Sequence, residues 1–170
     1  MFFVEMPAWD VTLRILVAAV LGMAVGFERE FRRKPAGIRT HMLVATGASA
    51  FIIITLEMIA GPLQEIEGVK ADPTRIIQGV IGGIGFLGAG AIIQGKGEVT
   101  GLTTGASIWV AGAIGIATGI GFFDIAVLLM VIVVIIIIVF VIGRIENAVM
   151  NRLDNVDGID RPEEGHDKPE

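Results

Sequence analysis

Five apolar runs separated by short polar links make up most of this chain. Measured against the roughly 20 apolar residues that cross a hydrocarbon layer, they read as Val11–Phe27, His41–Ala60, Arg75–Gln94, Gly101–Gly121 and Ile125–Ile142. The first is interrupted by Arg14 and the second carries Glu57 near its end. The last is uncharged, glycine-free and rich in Ile and Val, so it should face lipid over much of its surface. The pattern predicts an all-α polytopic bundle of five transmembrane helices. Residues 1–10 precede the spans, 11–145 form the membrane domain, and 146–170 form a short cytoplasmic acidic tail.

The third and fourth runs are dense in glycine. In water that would weaken a helix by about 1 kcal/mol per glycine relative to alanine. In hydrocarbon the backbone must satisfy its own polar groups, so the helix persists and glycine lets neighbours approach closely. Gly105, Gly112, Gly115 and Gly119 fall on one stripe that begins at Gly101. Gly79, Gly83 and Gly90 share one face, while Gly85 and Gly88 point elsewhere. The third helix is therefore expected to be packed on several sides and to lie centrally. The surplus of stripes predicts a homo-oligomer, most simply a dimer.

Lysine and arginine orient the spans, because they concentrate in cytoplasmic loops. The first link holds Arg29, Arg32, Arg33, Lys34 and Arg39, the third holds Lys96, and Arg144 and Arg152 follow the last run. The opposite side has Arg14, Lys70 and Arg75 among seven carboxylates. An outside N-terminus and an inside C-terminus follow, as an odd number of spans requires. Beyond Asn155 the tail is acidic, poor in aliphatic residues and punctuated by Pro162 and Pro169, and disorder is expected there.

Composition sharpens the class. Of 170 residues, 54% are hydrophobic and 18% charged, with a mean hydropathy of +0.77, well beyond an ordinary soluble domain. The absence of cysteine excludes disulfides, thiolate catalysis and Cys-ligated zinc. Met1–Asp10 has no basic residue, so no secretory signal is expected. No basic stripe suggests nucleic-acid binding. Neither a cofactor nor a metal site is expected, and no enzyme chemistry.

Several polar residues lie at the edges of these runs. Glu28 closes the first run and His41 opens the second, so both are expected at the inner hydrocarbon edge, where ionisable groups usually find partners. Glu28 and Arg39 are a candidate ion pair, and His41 is a candidate titrating group. Thr103, Thr104 and Ser107 either cap the fourth helix or, with Gln78 and Gln94, line a cavity open to the cytoplasm. The candidate polar site is thus Glu28, Arg29, Arg39, Thr40, His41, Gln94, Thr103, Thr104 and Ser107. At the outer face Arg14 and Glu57 are expected to pair, as are Arg75 and Asp124. Trp109 lies well inside its run and reads as a packing residue. Gly83–Gly88 matches G-x-G-x-x-G, but lacks the strand before it and the acidic residue about 20 positions on that dinucleotide binding needs. A Mg²⁺ path would need converging carboxylates, and Glu57, off centre, is the sole plausible membrane carboxylate.

Three stretches carry a family resemblance. They are Glu28-Arg-Glu with Lys34-Pro-Ala-Gly-Ile-Arg-Thr-His-Met42, then Gly82–Gly90, then Gly101-Leu-Thr-Thr-Gly-Ala-Ser-Ile-Trp109 with Ala113-Ile-Gly115. Over about residues 10–145 the chain resembles the MgtC/SapB membrane domain. The resemblance implies five spans in a bacterial cytoplasmic membrane and a link to growth in low Mg²⁺, to acid stress and, in pathogens, to survival in macrophages. It implies a regulator acting through contacts with another membrane complex, such as ATP synthase or an ion transporter. The alternative is a small-ion transporter or channel for Mg²⁺, K⁺ or H⁺ using the inner polar site. Longer members of the family carry a soluble C-terminal domain resembling an ACT fold; here a short acidic tail stands in its place, so the short, membrane-only form is expected.

Overall fold

The computed structural model describes residues 6–61, 63, 72–95, 98–136, 138 and 139. Its elements are α1 (Ala8–Phe31), α2 (Ile38–Ala60), α3 (Pro73–Gly90), β1 (Ile93–Gly95), β2 (Glu98–Thr100), α4 (Leu102–Ile120) and α5 (Phe123–Ile136). The architecture is all-helical apart from one antiparallel hairpin, in which Ile93 faces Thr100. The chain divides into two units, Met1–Val133 and Val134–Glu170. The site discussed below lies wholly in the first. Of the second, the end of α5 and residues 138 and 139 are described. The tail expected at 146–170 lies outside the described residues.

Helices α1, α2 and α4 are long and apolar enough to cross a membrane. Arg75, Gln78 and six glycines dilute the hydropathy of α3, and α5 is described over a shorter length. The third run also ends its helix at Gly90, four residues before Gln94. The chain then turns into β1, a hairpin that the run of apolar residues up to Ile93 concealed.

The centre of the bundle is α4, not α3. Ten of its residues are buried, including Gly105, Gly112, Gly115 and Gly119. Each of these glycines meets a neighbour. A Cβ on Gly115 would lie 2.2 Å from the Ala45 carbonyl oxygen and 2.8 Å from the Ala48 Cβ. One on Gly119 would lie 2.8 Å from the Ser49 carbonyl oxygen, and one on Gly105 2.9 Å from that of Gly88. Gly112 receives the Ile84 side chain. Helix α3 buries Ile84 and Gly88 alone among its described residues. Nothing described lies within 4 Å of a Cβ placed on Gly79, Gly82, Gly83, Gly85 or Gly90. The expectation of a central α3 is therefore corrected: glycine permits close approach without saying from which side it comes. Trp109, expected to pack, is half exposed beside α3.

Local chemistry fixes the ends. Asp72 caps α3, accepting from the Thr74 amide at 2.9 Å and its hydroxyl at 2.6 Å, with Pro73 starting the helix. The Thr74 hydroxyl and then its amide hold the Asp72 carboxyl below the usual carboxylate range. Between α1 and α2 the chain reverses through Arg33 and Ala36, both left-handed, and Glu30 Oε2 accepts the Ile38 amide at 2.9 Å to cap α2. At the end of α4 the Phe122 amide donates to Ala117 O and that of Gly121 to Thr118 O, a Schellman closure around left-handed Gly121.

Gly101 joins the hairpin to α4 at φ +86°, and a Cβ there would sit 1.9 Å from the Ala91 carbonyl oxygen. Gly101→Ala combines a disfavoured φ with that clash. It should lower stability by more than about 1 kcal/mol, seen as a lower melting temperature in detergent. Gly47→Ala is the control, since its Cβ would meet nothing described within 4 Å.

Candidate functional site

One face of α1 leads to the site. Ala18, Leu21, Gly22, Val25, Gly26 and Arg29 are its buried residues, a repeat of three and four that continues the core stripe to Arg29. Small residues let α2 come close: a Cβ on Gly22 would lie 2.6 Å from the His41 carbonyl oxygen, and one on Gly26 2.6 Å from the Ile38 Cα. His41 is thereby held between α1 and α4 with no exposed surface, and Arg29 is 6% exposed.

Four side chains meet there. Arg29 Nη2 donates a short hydrogen bond to Thr104 Oγ1. Ser107 Oγ donates to the Thr104 carbonyl at 2.9 Å and lies 3.0 Å from His41 Nε2. His41 Nδ1 is 2.8 Å from the Gly37 carbonyl, which only accepts, so Nδ1 carries a hydrogen. Arg29 Nε has no hydrogen-bond partner among the described residues. Among the described residues no carboxylate lies within ion-pair distance of Arg29, and the neighbouring Glu28 charge acts on it from farther away.

Of the nine expected polar residues, Arg29, His41, Thr104 and Ser107 come together. Glu28 forms an ion pair with Arg32 one turn on, in place of the one expected with Arg39, and its charge still acts on Arg29 and His41 beside it. Arg39 and Thr103 are exposed, and Thr40 is half-buried. The side chain of Gln94 lies outside the described residues. At the other end, Arg14 pairs with Asp10 at 2.9 Å and donates to the Gly119 carbonyl at 2.8 Å, rather than pairing with Glu57. A cation at the C-terminal carbonyls of α4 suits the helix dipole. Glu57 accepts the Met6 amide at 2.8 Å. Arg75 and Asp124 are both exposed, and no ion pair joins them. The period of the buried α1 face is the signal that would have singled out Arg29 over Glu28.

A second feature is a groove of about 630 Å³ between α2 and α3, apolar along Leu43, Phe51, Gly79, Gly83 and Leu87, with Arg75 at one end. Among the described residues no group of three or more His, Asp or Glu is placed to hold a metal ion.

Long apolar helices packed through glycine, with a cationic cluster buried among three of them, define a helical membrane protein. The chain belongs to the MgtC family, whose sequence model matches residues 15–147. It is 40% identical over 115 residues to the protein named "Putative magnesium transporter YhiD" of Escherichia coli strain K12, covering 68% of this chain and 53% of that one. It is 36% identical over 115 residues to protein SapB of Bacillus subtilis strain 168, covering 67% and 49%. Protein MgtC of Brucella abortus strain 2308 is 39% identical over 114 residues, covering 67% and 44%. The chain spans about half the length of these relatives. No solved structure matches.

Proposed function

We propose that this chain is a regulatory protein of the bacterial cytoplasmic membrane, linked to Mg²⁺ limitation and acid stress, that acts by contact with another membrane protein. The observation that carries the reading is the open edge of α3. A Cβ on any of five of its glycines would meet nothing described within 4 Å, and two of them, Gly79 and Gly83, line the unfilled groove against α2, on a helix otherwise apolar from Val80 to Gly90. Such an edge suits a second helix, from another copy or another protein. Five spans with the N-terminus outside remain our topology. At 18 residues α3 is about 27 Å long, close to a hydrocarbon thickness, and the arginine-rich turn after α1 belongs inside.

The name of the Escherichia coli relative brings a second reading, an ion carrier. The buried guanidinium of Arg29 speaks against a Mg²⁺ path through the polar cluster, because a fixed positive charge there repels a divalent cation. Two measurements separate the readings. Purified protein in liposomes carrying Mg²⁺, K⁺ and H⁺ reporters is expected to show no flux; flux abolished by Glu28→Gln would overturn the regulatory reading. In membranes, Gly79→Leu with Gly83→Leu is expected to leave the fold intact and remove co-purification with the partner complex. Retained co-purification would show that α3 is not the docking edge.

A further inference from the structure

We propose that the first turn of α4, together with Arg29, is a binding site for a phosphate oxyanion at the end of the bundle that carries the arginine-rich turn. Helix α4 starts at Gly101 with no side-chain cap. Its first backbone bond runs from the Gly105 amide to the Gly101 carbonyl, so the amides of Leu102, Thr103 and Thr104 find no acceptor among the described residues. Three convergent amides at the positive end of a helix dipole form an anion cradle.

An uncapped helix start alone would be unremarkable. Here a second, independent feature points to the same ligand. Arg29 is 6% exposed, its Nη2 is anchored on Thr104 Oγ1 in that first turn, and its Nε is buried without a partner. A buried, unpaired guanidinium nitrogen is costly, and its cost is relieved when an anion binds. The donors are directional N–H groups joined by the Thr103 and Thr104 hydroxyls, which suits a tetrahedral oxyanion with several acceptor oxygens. Leu102 and Thr103 are exposed, so the first turn is approached from outside past their side chains. Ser107 bonds to the Thr104 carbonyl and to His41, which ties the site to α2. Occupancy would therefore bear on how α1, α2 and α4 are held together at this end. The oxyanion is either free inorganic phosphate or the phosphate of an anionic lipid headgroup, since both offer the same acceptor oxygens.

The test uses the full chain in an uncharged detergent, with unfolding followed by Trp9 and Trp109 fluorescence. Inorganic phosphate is titrated against chloride at equal ionic strength, and separately phosphatidylglycerol is doped into the micelles against phosphatidylcholine. A ligand that binds only the folded state raises the melting temperature. A rise with inorganic phosphate identifies the free anion, and a rise with phosphatidylglycerol alone identifies the lipid. Thr103→Asp places a carboxylate over the first turn at an exposed position, where it favours the helix start. It should fold at least as well as the wild type and lose the response. Arg29→Lys keeps the charge but removes Nε, and should weaken binding at least tenfold. No rise with either ligand, or a rise unchanged in Thr103→Asp, overturns the proposal.

Discussion

Gly115→Leu is expected to abolish the folded protein. The Cβ alone would fall 2.2 Å from the Ala45 carbonyl oxygen and 2.8 Å from the Ala48 Cβ, both on the facing helix. Neither atom is the far end of a flexible side chain, so α2 and α4 must separate. Overpacking a core ordinarily costs about 1–3 kcal/mol, and here the obstacle is backbone, so we expect at least about 3 kcal/mol. That is a large share of a stability of roughly 5–15 kcal/mol. Separation would also break the contacts at Gly119 and the His41–Ser107 hydrogen bond, which join the same two helices. The check is the fraction of protein that elutes as a single species after detergent extraction. The matched control is Gly79→Leu, whose Cβ would meet nothing described within 4 Å and whose side chain would enter the unfilled groove between α2 and α3. Its stability should stay within about 0.5 kcal/mol of wild type. If the two variants behaved alike, the assignment of α4 as the central helix would fail.

That contrast also marks how far the sequence could be read. Hydropathy found all five helices, because the alternation of apolar runs and polar links survives whatever packs on them. The glycine stripe of α4 was legible, since residues spaced by three, four and seven must share a face. What packs on a stripe is decided by the facing helix. Ala45 and Ala48 are small enough to receive α4, whereas α2 and α3 leave a groove at Gly79 and Gly83 with nothing described within 4 Å of a Cβ there. The hairpin was hidden by Ile92 and Ile93, which extend an apolar run beyond the last helical residue. In the polar cluster, residue type suggested the candidates, and the period of the buried α1 face would have separated Arg29 from Glu28. Glu28 and Arg29 are adjacent, yet one turn of period separates a side chain paired with Arg32 from one buried on Thr104. The ion pairs went to Asp10–Arg14 and Glu28–Arg32, four residues apart on one helix. Such pairs form without ordering a second element, whereas Glu28–Arg39 would have had to bridge the turn.

Arg29→Met is expected to stabilise the protein and to disable it. Methionine replaces the aliphatic stem of Arg29 at similar length, can stay in a low-energy rotamer, and removes a buried cation that no carboxylate among the described residues contacts within ion-pair distance. Replacing buried ionic groups by apolar ones of similar volume is often neutral or stabilising by about 1–4 kcal/mol. The loss of the bond to the Thr104 hydroxyl opposes this in part. The melting temperature should therefore rise. Arg29→Ala should lower it, because truncation removes the stem as well and leaves a void among α1, α2 and α4. A residue that destabilises its own fold is retained for what it does. If the proposed link to Mg²⁺ limitation holds, Arg29→Met should fail to restore growth in low Mg²⁺ to a strain lacking this protein, although it accumulates to wild-type levels. A melting temperature that falls in both variants would mean that the guanidinium is held by groups it does not touch in this structure. A rise with growth fully restored would reduce Arg29 to a packing residue and leave the open edge of α3 as the surface on which regulation depends.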